Sequence, residues 1–208
     1  MVIKDGAKMS KSKGNVVDPE DMIKRYGADA TRLFMLFAAP PEKDLDWSDQ
    51  GIEGTYRFLS RLWRLVQEIR ELPSSPADTI PPSMQDFQRK LHQTIRKVTE
   101  DVDKRFRFNT AIAAMMELVN ELYKLKETAK APDEVQVMRR AVEHLLVMLS
   151  PFVPHIADEL WSSLDGTGML LDHAWPEFDP AWAEKVAVTI AVQVGGKVRA
   201  TLTVAIDS

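Results

Sequence analysis

Lysines are concentrated near the start of the chain, among small and polar residues. From Lys4 to Asn15 the sequence is KDGAKMSKSKGN, with four lysines and one aspartate. A lysine ammonium is a mobile point charge with three donors and suits the oxygens of an oligophosphate. Gly and Ser let the backbone change shape and approach phosphate. The composition suits a flexible cationic lid for a polyphosphate. A lysine-rich loop taken alone is more often ordinary solvated surface. The Gly-x-x-x-x-Gly-Lys-Ser/Thr spacing of a Walker loop does not occur.

A second group of cations follows the spacing of a helix. Arg57, Arg61 and Arg64 lie at i, i+4 and i+7 and therefore share one side. This side could contact a nucleic-acid backbone, or it could be a solvated face paired with Glu53, Glu68 and Glu71. Another basic concentration has the same two interpretations and comprises Arg89, Lys90, Arg96, Lys97, Arg105 and Arg107. Lys and Arg outnumber Asp and Glu by 11 to 7 over residues 57–107, although the chain carries a net charge of −4.

The remaining polar and aromatic residues give no further chemical site. The four histidines are dispersed without metal-ligand spacing, so no metal site is predicted. Asp44, Asp46 and Asp49 form a carboxylate cluster in the sequence, but we do not expect them to act in acid–base catalysis. Four tryptophans are interpreted as core or loop anchors, with base stacking as the alternative: Trp47, Trp161, Trp175 and Trp182.

The composition excludes several classes of protein. The chain has no cysteine, which excludes disulfides, thiolate metal sites and a cysteine nucleophile. No apolar run approaches the roughly 18 residues of a membrane span, and no signal peptide is present at the start. Apolar residues make up 45% and charged residues 28% of the chain, the balance of a soluble globular protein.

The first 50 residues predict a loop followed by two short helices. Residues 1–19 have no hydrophobic period and are predicted to be a loop. Asp18 and Pro19 predict a helix start, and Gly27 its end. A second helix is predicted over residues 28–37 and is closed by Pro40 and Pro41. Residues 42–48 are predicted to be an acidic loop.

Amphipathic helices dominate the middle of the chain. The first places Ile52, Tyr56, Leu59, Trp63 and Val66 on one stripe predicted to be buried. A linker over residues 73–82 precedes the next two helices, for which Ser83 and Asn109 are the predicted N-caps. A fourth helix begins at Pro132, and a short one covers residues 155–164. Helices with short connections pack into an up-down bundle.

The last segment changes from a helical to an alternating pattern. Apolar residues alternate over 186–194 and again over 198–204, on either side of Gly195 and Gly196. This pattern predicts a β-hairpin with a two-residue turn. A lone hairpin is marginal in water, so we expect it to belong to a truncated α/β domain. The fold class is therefore mainly α, with a loop and helix connector before the bundle and this hairpin after it.

The lysine-rich stretch also resembles a known family. Residues 8–12 match the KMSKS motif of class I aminoacyl-tRNA synthetases, and KGNVVDP (13–19) and YGADATR (26–32) match the sequence around it. The order is similar to the leucyl, isoleucyl, valyl and methionyl subgroup. The resemblance implies that the ATP-binding residues are Lys8, Met9, Ser10, Lys11 and Ser12, with Asn15 helping to shape the loop.

The resemblance implies a reaction as well. In this family the amino-acid carboxylate attacks the α-phosphorus of ATP, and pyrophosphate leaves. Lys11 would meet the charge that grows in the transition state, with Lys8 binding the phosphates beside it. Mg2+ is expected with ATP in the full enzyme. The family's other ATP motif, His-x-Gly-His, does not occur, so this chain alone is expected to be inactive.

Three segments resemble the leucyl enzymes of bacterial type in particular. They are PPEKDLDWSDQGIEG (40–54), RFLSRLWR (57–64) and the hairpin VQVGGKVRA (192–200). The family often has Asn where Gly195 stands. The segment SPFVPHIADELW (150–161) is shared across the subgroup and does not distinguish one of its members from another. The open alternatives are a valyl or isoleucyl enzyme and a non-catalytic helical RNA-binding or interaction module.

The resemblance also implies a role for each part of the chain. Residues 1–50 are expected to end a catalytic region, 51–165 to form a tRNA-binding bundle of the anticodon-binding type, and 166–208 to form a linker and the first hairpin of a further domain. The expected partners are tRNA(Leu), ATP and leucine. We expect contacts with the tRNA backbone through Arg57, Arg61 and Arg64. The parent enzyme is expected to be a cytoplasmic monomer without membrane contact.

Overall fold

The structure is a computed structural model, and it describes residues 1–76, 79–129, 131–184, 187–195 and 197–205. The amino-terminal connector contains β1 (Val2–Lys4), β2 (Ala7–Lys8), α1 (Pro19–Tyr26), α2 (Ala28–Ala38) and β3 (Leu45–Asp46). The bundle contains α3 (Asp49–Glu71), α4 (Gln85–Asp103), α5 (Phe108–Thr128), α6 (Pro132–Leu149) and α7 (Pro154–Ser163). A short α8 (Pro180–Ala183) precedes the hairpin of β4 (Ala187–Val194) and β5 (Lys197–Ala205). The mainly α fold class is confirmed.

A small sheet stands where the sequence predicted loops. Its order is β2-β1-β3, with β1 antiparallel to β2 and parallel to β3. Val2 lies opposite Leu45, and Ile3 lies opposite Asp46. The predictions of loop over residues 1–19 and 42–48 are wrong at these strands. Strands of two or three residues are too short to show an alternating pattern, and β3 pairs with a strand about 40 residues away.

The two connector helices are confirmed. The Asp18 carboxylate accepts a hydrogen bond from the backbone N–H of Glu20 at 2.9 Å, and Pro19 occupies the first turn, where its missing N–H costs nothing. Gly27 separates the two helices with φ of 86°, a conformation that disfavours residues with a Cβ. Ala30 and Leu33 of α2 reach the main hydrophobic core, so the connector packs onto the bundle.

The core of the bundle lies between α3, α4, α5, α6 and α7. Its fully buried side chains include Leu62, Leu65, Ile95, Met115 and Leu145. A second, smaller cluster of Phe34, Leu45 and Ile52 lies beneath the three-stranded sheet. None of the helices in the described residues is long and apolar enough to cross a membrane.

The predicted buried stripe of α3 is wrong at two of its five positions. Ile52, Leu59 and Val66 are buried, but Tyr56 is 48% exposed and Trp63 is 37% exposed. The buried face is wider than the predicted stripe and is turned away from Tyr56 and Trp63. Its members are Ile52, Thr55, Phe58, Leu59, Leu62, Leu65, Val66 and Ile69.

Both predicted N-caps in the bundle are wrong. Ser83 lies in a 3-10 turn before α4, and its hydroxyl donates to Glu134 at the start of α6. Asn109 is the second residue of α5, whose N-cap position is Arg107. Ser83 therefore joins two helices, which a single-helix capping pattern could not anticipate.

The hairpin is confirmed over the residues that the structure describes. β4 and β5 are antiparallel, with Val188 opposite Val204 and Val194 opposite Lys197. The register shifts between Val192 and Gln193, which is a β-bulge. Val186 and Gly196, which belong to the predicted alternation and turn, lie outside the described residues. The division into 1–50, 51–165 and 166–208 stays a prediction.

Candidate functional site

The lysine loop, defined as residues 8–15, is built on the small sheet. Asp5 and Gly6 form the two-residue turn between β1 and β2 with φ of 54° and 72°, the signs that a type I′ hairpin turn requires. The Met9 N–H donates to the Val2 carbonyl at 3.0 Å and keeps the chain beside β1 as the loop begins. β1 is held by β3 in turn, through a 2.7 Å bond from the Trp47 N–H to the Ile3 carbonyl.

One side chain, Asn15, closes the lysine loop. Its Oδ1 accepts from the Ser10 N–H at 2.9 Å. Its Nδ2 lies 3.2 Å from the Lys4 carbonyl and 3.4 Å from those of Ala7 and Lys8. These bonds cross up to eleven residues of sequence and tie the end of the loop back to its start. The expected role of Asn15 in shaping the loop is therefore matched by a specific geometry.

The predicted phosphate-binding residues are brought together on this loop. Lys8, Lys11 and Lys13 are exposed, whereas Met9 and Ser10 are half-buried. The Ser10 and Ser12 hydroxyl oxygens lie 3.2 Å apart. Within the described part of the chain, no carboxylate forms an ion pair with these three lysines. The loop therefore presents uncompensated positive charge on a backbone that is fixed at both ends.

The arginine ridge, defined as Arg57, Arg61 and Arg64, is exposed on α3. Arg61 donates to Asn120 Oδ1 at 3.1 Å and lies over the Tyr123 ring, and Arg64 donates to the Ser60 carbonyl at 3.4 Å. The three arginines share one side of the helix, as predicted, and all three are exposed, although the Arg61 guanidinium also has partners within the bundle.

The predicted ion pairs of the ridge do not form among the described residues. Glu53 pairs with Arg25 at 3.7 Å, and Glu68 pairs with Lys126. The expected pairing of the ridge with Glu53, Glu68 and Glu71 is therefore wrong, whereas the choice between a solvated face and a nucleic-acid contact is still open. Contact of the ridge with tRNA stays a prediction.

The second basic concentration, on α4 and the loop after it, is engaged within the chain. Lys90 pairs with Glu117 at 2.8 Å, and Arg105 pairs with Glu100 at 3.0 Å. Lys97 pairs with the buried Asp101 at 2.8 Å, and Arg89 lies over the Trp182 ring at 5.1 Å. Four of the six cations thus have partners inside the molecule, which favours a structural role for this group.

A groove of about 820 Å³ lies between the junction of α1 and α2, the middle of α3 and the start of α7. Tyr26, Tyr56 and Trp63 supply aromatic walls, Leu59 lies at its base, and Arg64 belongs to both the groove and the arginine ridge. Sequence analysis missed this site because it assigned Tyr56 and Trp63 to the core. The sequence feature that could have indicated the groove is the spacing of seven residues between Tyr56 and Trp63, close to the three arginines.

The other aromatic and acidic candidates have structural partners. The Trp47 indole donates to Asp49 at 2.9 Å, and its ring lies edge-on to Phe34. The Trp175 indole donates to the Thr99 hydroxyl at 2.8 Å. In the part of the chain that the structure describes, no group of three or more His, Asp or Glu could hold a metal ion.

Two family models match the chain, one near its start and one over its second half. Residues 85–208 match the anticodon-binding domain of tRNA ligase, which is more than half of the sequence. Residues 1–48 match the class I tRNA synthetases for isoleucine, leucine, methionine and valine. The chain belongs to the anticodon-binding domain family of tRNA ligases. The lysine loop falls inside the class I match, and the arginine ridge lies between the two matches.

Several curated proteins that are similar to this chain are leucine–tRNA ligases. Those of Geobacter sp. (strain M21) and Syntrophobacter fumaroxidans are 55% and 53% identical, and each match covers 100% of this chain and 26% of the relative. That of Geotalea daltonii is 54% identical over 99% of the chain and 25% of the relative. The chain therefore spans about a quarter of the length of these relatives.

A solved structure resembles the whole chain as well. It is the crystal structure of the ternary complex of Agrobacterium radiobacter K84 agnB2 LeuRS, tRNA and LeuAMS. The match has a TM-score of 0.79 and 31% sequence identity, and it covers 100% of this chain and 27% of that one. At this identity the likeness extends to the helical architecture and the connector together.

Proposed function

We propose that this chain is part of a longer leucine–tRNA ligase, to which it contributes the ATP-facing lysine loop and a tRNA-binding helical bundle. The observation that carries the proposal is identity of 53% and 55% to leucine–tRNA ligases over the whole chain. The class I match over residues 1–48 supports the use of ATP. In the proposal, leucine is activated to leucyl-adenylate and then transferred to tRNA(Leu).

The lysine loop is proposed to act as the KMSKS loop of the parent enzyme. The leucine carboxylate oxygen forms a bond to the α-phosphorus, and the bond from that phosphorus to the pyrophosphate oxygen breaks. Negative charge grows on the α-phosphoryl oxygens and on the departing pyrophosphate. Lys11 is proposed to neutralise that charge, and Lys8 to bind the phosphates beside it. Mg2+ accompanies ATP in this proposal.

The geometry of the loop supports this role. The ammonium groups of Lys8 and Lys11 have no carboxylate partner among the described residues, so no internal ion pair must break before phosphate binds. The Asn15 bonds limit the conformations of the loop, which reduces the entropy that is lost when the lysines are placed. Ser10 and Ser12 lie between the lysines and offer hydroxyl donors.

The bundle is proposed to hold tRNA(Leu) through the arginine ridge. Arg57, Arg61 and Arg64 are exposed and free of acidic partners in the described chain, as phosphate contacts require. The related LeuRS structure is a complex with tRNA, which supports this assignment. The monomeric state and the cytoplasmic location of the parent stay predictions.

Aminoacylation by the full-length gene product that contains this chain tests the proposal. The product is incubated with ATP, tRNA(Leu) and leucine, isoleucine or valine in parallel. Attachment of leucine at a kcat/KM far above the other two is expected. Charging of isoleucine or valine would show an enzyme of the same subgroup with another substrate. Absence of charging with all three, by a folded protein, would favour a non-catalytic RNA-binding module.

A further inference from the structure

The aromatic groove on α3 has the chemistry of a site for a planar ring. Tyr56 and Trp63 are 48% and 37% exposed, although large aromatic side chains in a bundle normally bury most of their surface. They lie two helical turns apart on one side of α3, about 10 Å along its axis. Tyr26 packs against Tyr56 with ring centroids 6.0 Å apart and fixes one wall of the groove. The volume of about 820 Å³ is within the range of ligand sites.

One arginine at the groove supplies a contact for an anionic group. Arg64 lines the groove, and Arg57 and Arg61 continue along the same helix without acidic partners in the described residues. Two carboxylates near the groove are already engaged. The buried Asp29 accepts from His155 Nδ1 at 2.8 Å and from the Ile156 N–H at 2.7 Å.

The second engaged carboxylate is Glu53, which accepts from the Tyr26 hydroxyl at 3.3 Å and pairs with Arg25. Glu159 remains on the rim beside His155. Aromatic walls beside an arginine without an acidic partner are a combination that binds single-stranded nucleic acid, since bases stack on the rings and a phosphate contacts the cation.

We propose that this groove receives one unstacked nucleotide of tRNA, with its base against Trp63 and Tyr56 and its phosphate on Arg64. Arg57 and Arg61 then follow the adjoining backbone. The inference rests on the proposed function, because it takes tRNA binding by this chain as given. Stacking on an aromatic ring tolerates every base. The groove therefore holds and orients the RNA without reading its sequence.

Binding of a labelled tRNA(Leu) transcript to the 208-residue chain, measured at several salt concentrations, tests the proposal. Trp63→Leu removes the planar ring and is expected to raise Kd by about 5- to 100-fold. The slope of log affinity against log salt should stay unchanged, because stacking releases no counterions. Trp63→Phe keeps a ring and should bind closer to the unmodified chain. Phe106→Leu changes another exposed aromatic residue, at 61% exposure and outside the groove, and should have no effect.

The arginine variants, unlike Trp63→Leu, should change the salt dependence of binding as well as the affinity. Arg57→Gln, Arg61→Gln and Arg64→Gln should each weaken binding and reduce the salt slope by about 1. Arg70→Gln is the matched control, because Arg70 is exposed on another side of the same helix. Circular dichroism melting of every variant establishes that it is folded. Ultraviolet crosslinking to a transcript that carries 4-thiouridine should label the peptide containing Trp63.

The possible outcomes separate this inference from the proposed function. If tRNA binds with the expected arginine dependence but Trp63→Leu binds normally, the groove assignment is overturned and the tRNA role stands. Crosslinks confined to other peptides overturn it as well. If Trp63→Leu impairs leucine activation in the full-length enzyme while tRNA affinity is unchanged, a protein segment covers the groove. If the folded chain binds no tRNA, the proposed tRNA role of the chain fails and the groove proposal fails with it.

Discussion

At the scale of single residues, the chain places its charges in two distinct settings. The lysines of the loop and the arginines of the ridge are exposed and lack acidic partners in the described chain, whereas the buried carboxylate of Asp101 has several donors. Asp101 is 1% exposed and accepts from Lys97 at 2.8 Å and from the Thr110 hydroxyl at 2.6 Å. Buried charge must be paired, while free charge at a surface is available to a ligand.

Asp101 gives a prediction about acid stability. Burial by itself would raise the pKa of this carboxyl, but the hydrogen bonds from Lys97 and Thr110, the charge of Lys97 and the bond from Arg105 together lower it. The unfolded pKa is about 3.9. A lower native pKa stabilises the fold above that pH, and the contribution is lost as the pH falls through the native pKa. Asp101→Asn should lower the unfolding free energy by about 2 to 4 kcal/mol at pH 7.

Urea unfolding between pH 7 and pH 2 measures this effect. The gap between the unmodified chain and Asp101→Asn should begin to narrow below about pH 4, where the unfolded chain binds a proton at this carboxyl more readily than the native fold does, and the narrowing should end once the native carboxylate is protonated too. Asp103→Asn, an exposed change at the end of the same helix, is the control and should shift stability little. A gap that is constant across the whole pH range would contradict the assignment of the effect to ionised Asp101.

At the scale of elements, the lysine loop depends on one side chain for its shape. Asn15→Ala removes the acceptor of the Ser10 N–H and should speed hydrogen exchange of that amide about 5-fold, the equivalent of about 1 kcal/mol. Asn15→Asp keeps the Oδ1 acceptor but loses the bonds to the carbonyls, so Ser10 should stay better protected than in Asn15→Ala. NMR measurement of hydrogen exchange at the Ser10 amide in the two variants tests this expectation. Equal Ser10 exchange in Asn15→Ala and the unmodified chain would show that the clamp is unimportant.

The elements that could be predicted from sequence are those with strong local signals. Asp18 with Pro19 fixed the start of α1, Pro132 the start of α6, and the alternating residues around Gly195 the hairpin. The small sheet could not be predicted, because β3 pairs with a strand distant in sequence and both are too short to show a period.

The candidate functional site could be predicted from the sequence only in part, because the groove depends on contacts between elements that are distant in sequence. The KMSKS spacing located the lysine loop, and helical spacing located the arginine ridge. The orientation of α3 about its axis depends on what packs against it, so the exposure of Tyr56 and Trp63 was not visible in the sequence. The groove is formed by α1, α2, α3 and α7 together, and no local pattern encodes such a juxtaposition.

At the scale of the whole molecule, α3 connects the two proposed ligand surfaces. Ile52, near its start, packs with Phe34 and Leu45 beneath the sheet that carries the lysine loop. Its middle carries the arginine ridge and one wall of the groove. Two further contacts join the connector to the bundle, from Asp29 to the start of α7 and from Arg32 to the Pro151 carbonyl at 3.1 Å. The loop and the ridge therefore belong to one packed unit.

The central claim is that this unit supplies a cation to adenylate formation in a leucine–tRNA ligase. Leucine-dependent exchange of pyrophosphate into ATP by the full-length enzyme tests it most directly, with Lys11→Ala compared with the unmodified protein. Lys13→Ala is the matched control, since Lys13 is exposed in the same turn but lies outside the KMSKS residues. Lys11→Ala should lower the exchange rate at saturating substrates by about 100-fold or more, with a much smaller change in the KM for ATP. An exchange rate that is unchanged by Lys11→Ala would contradict the account.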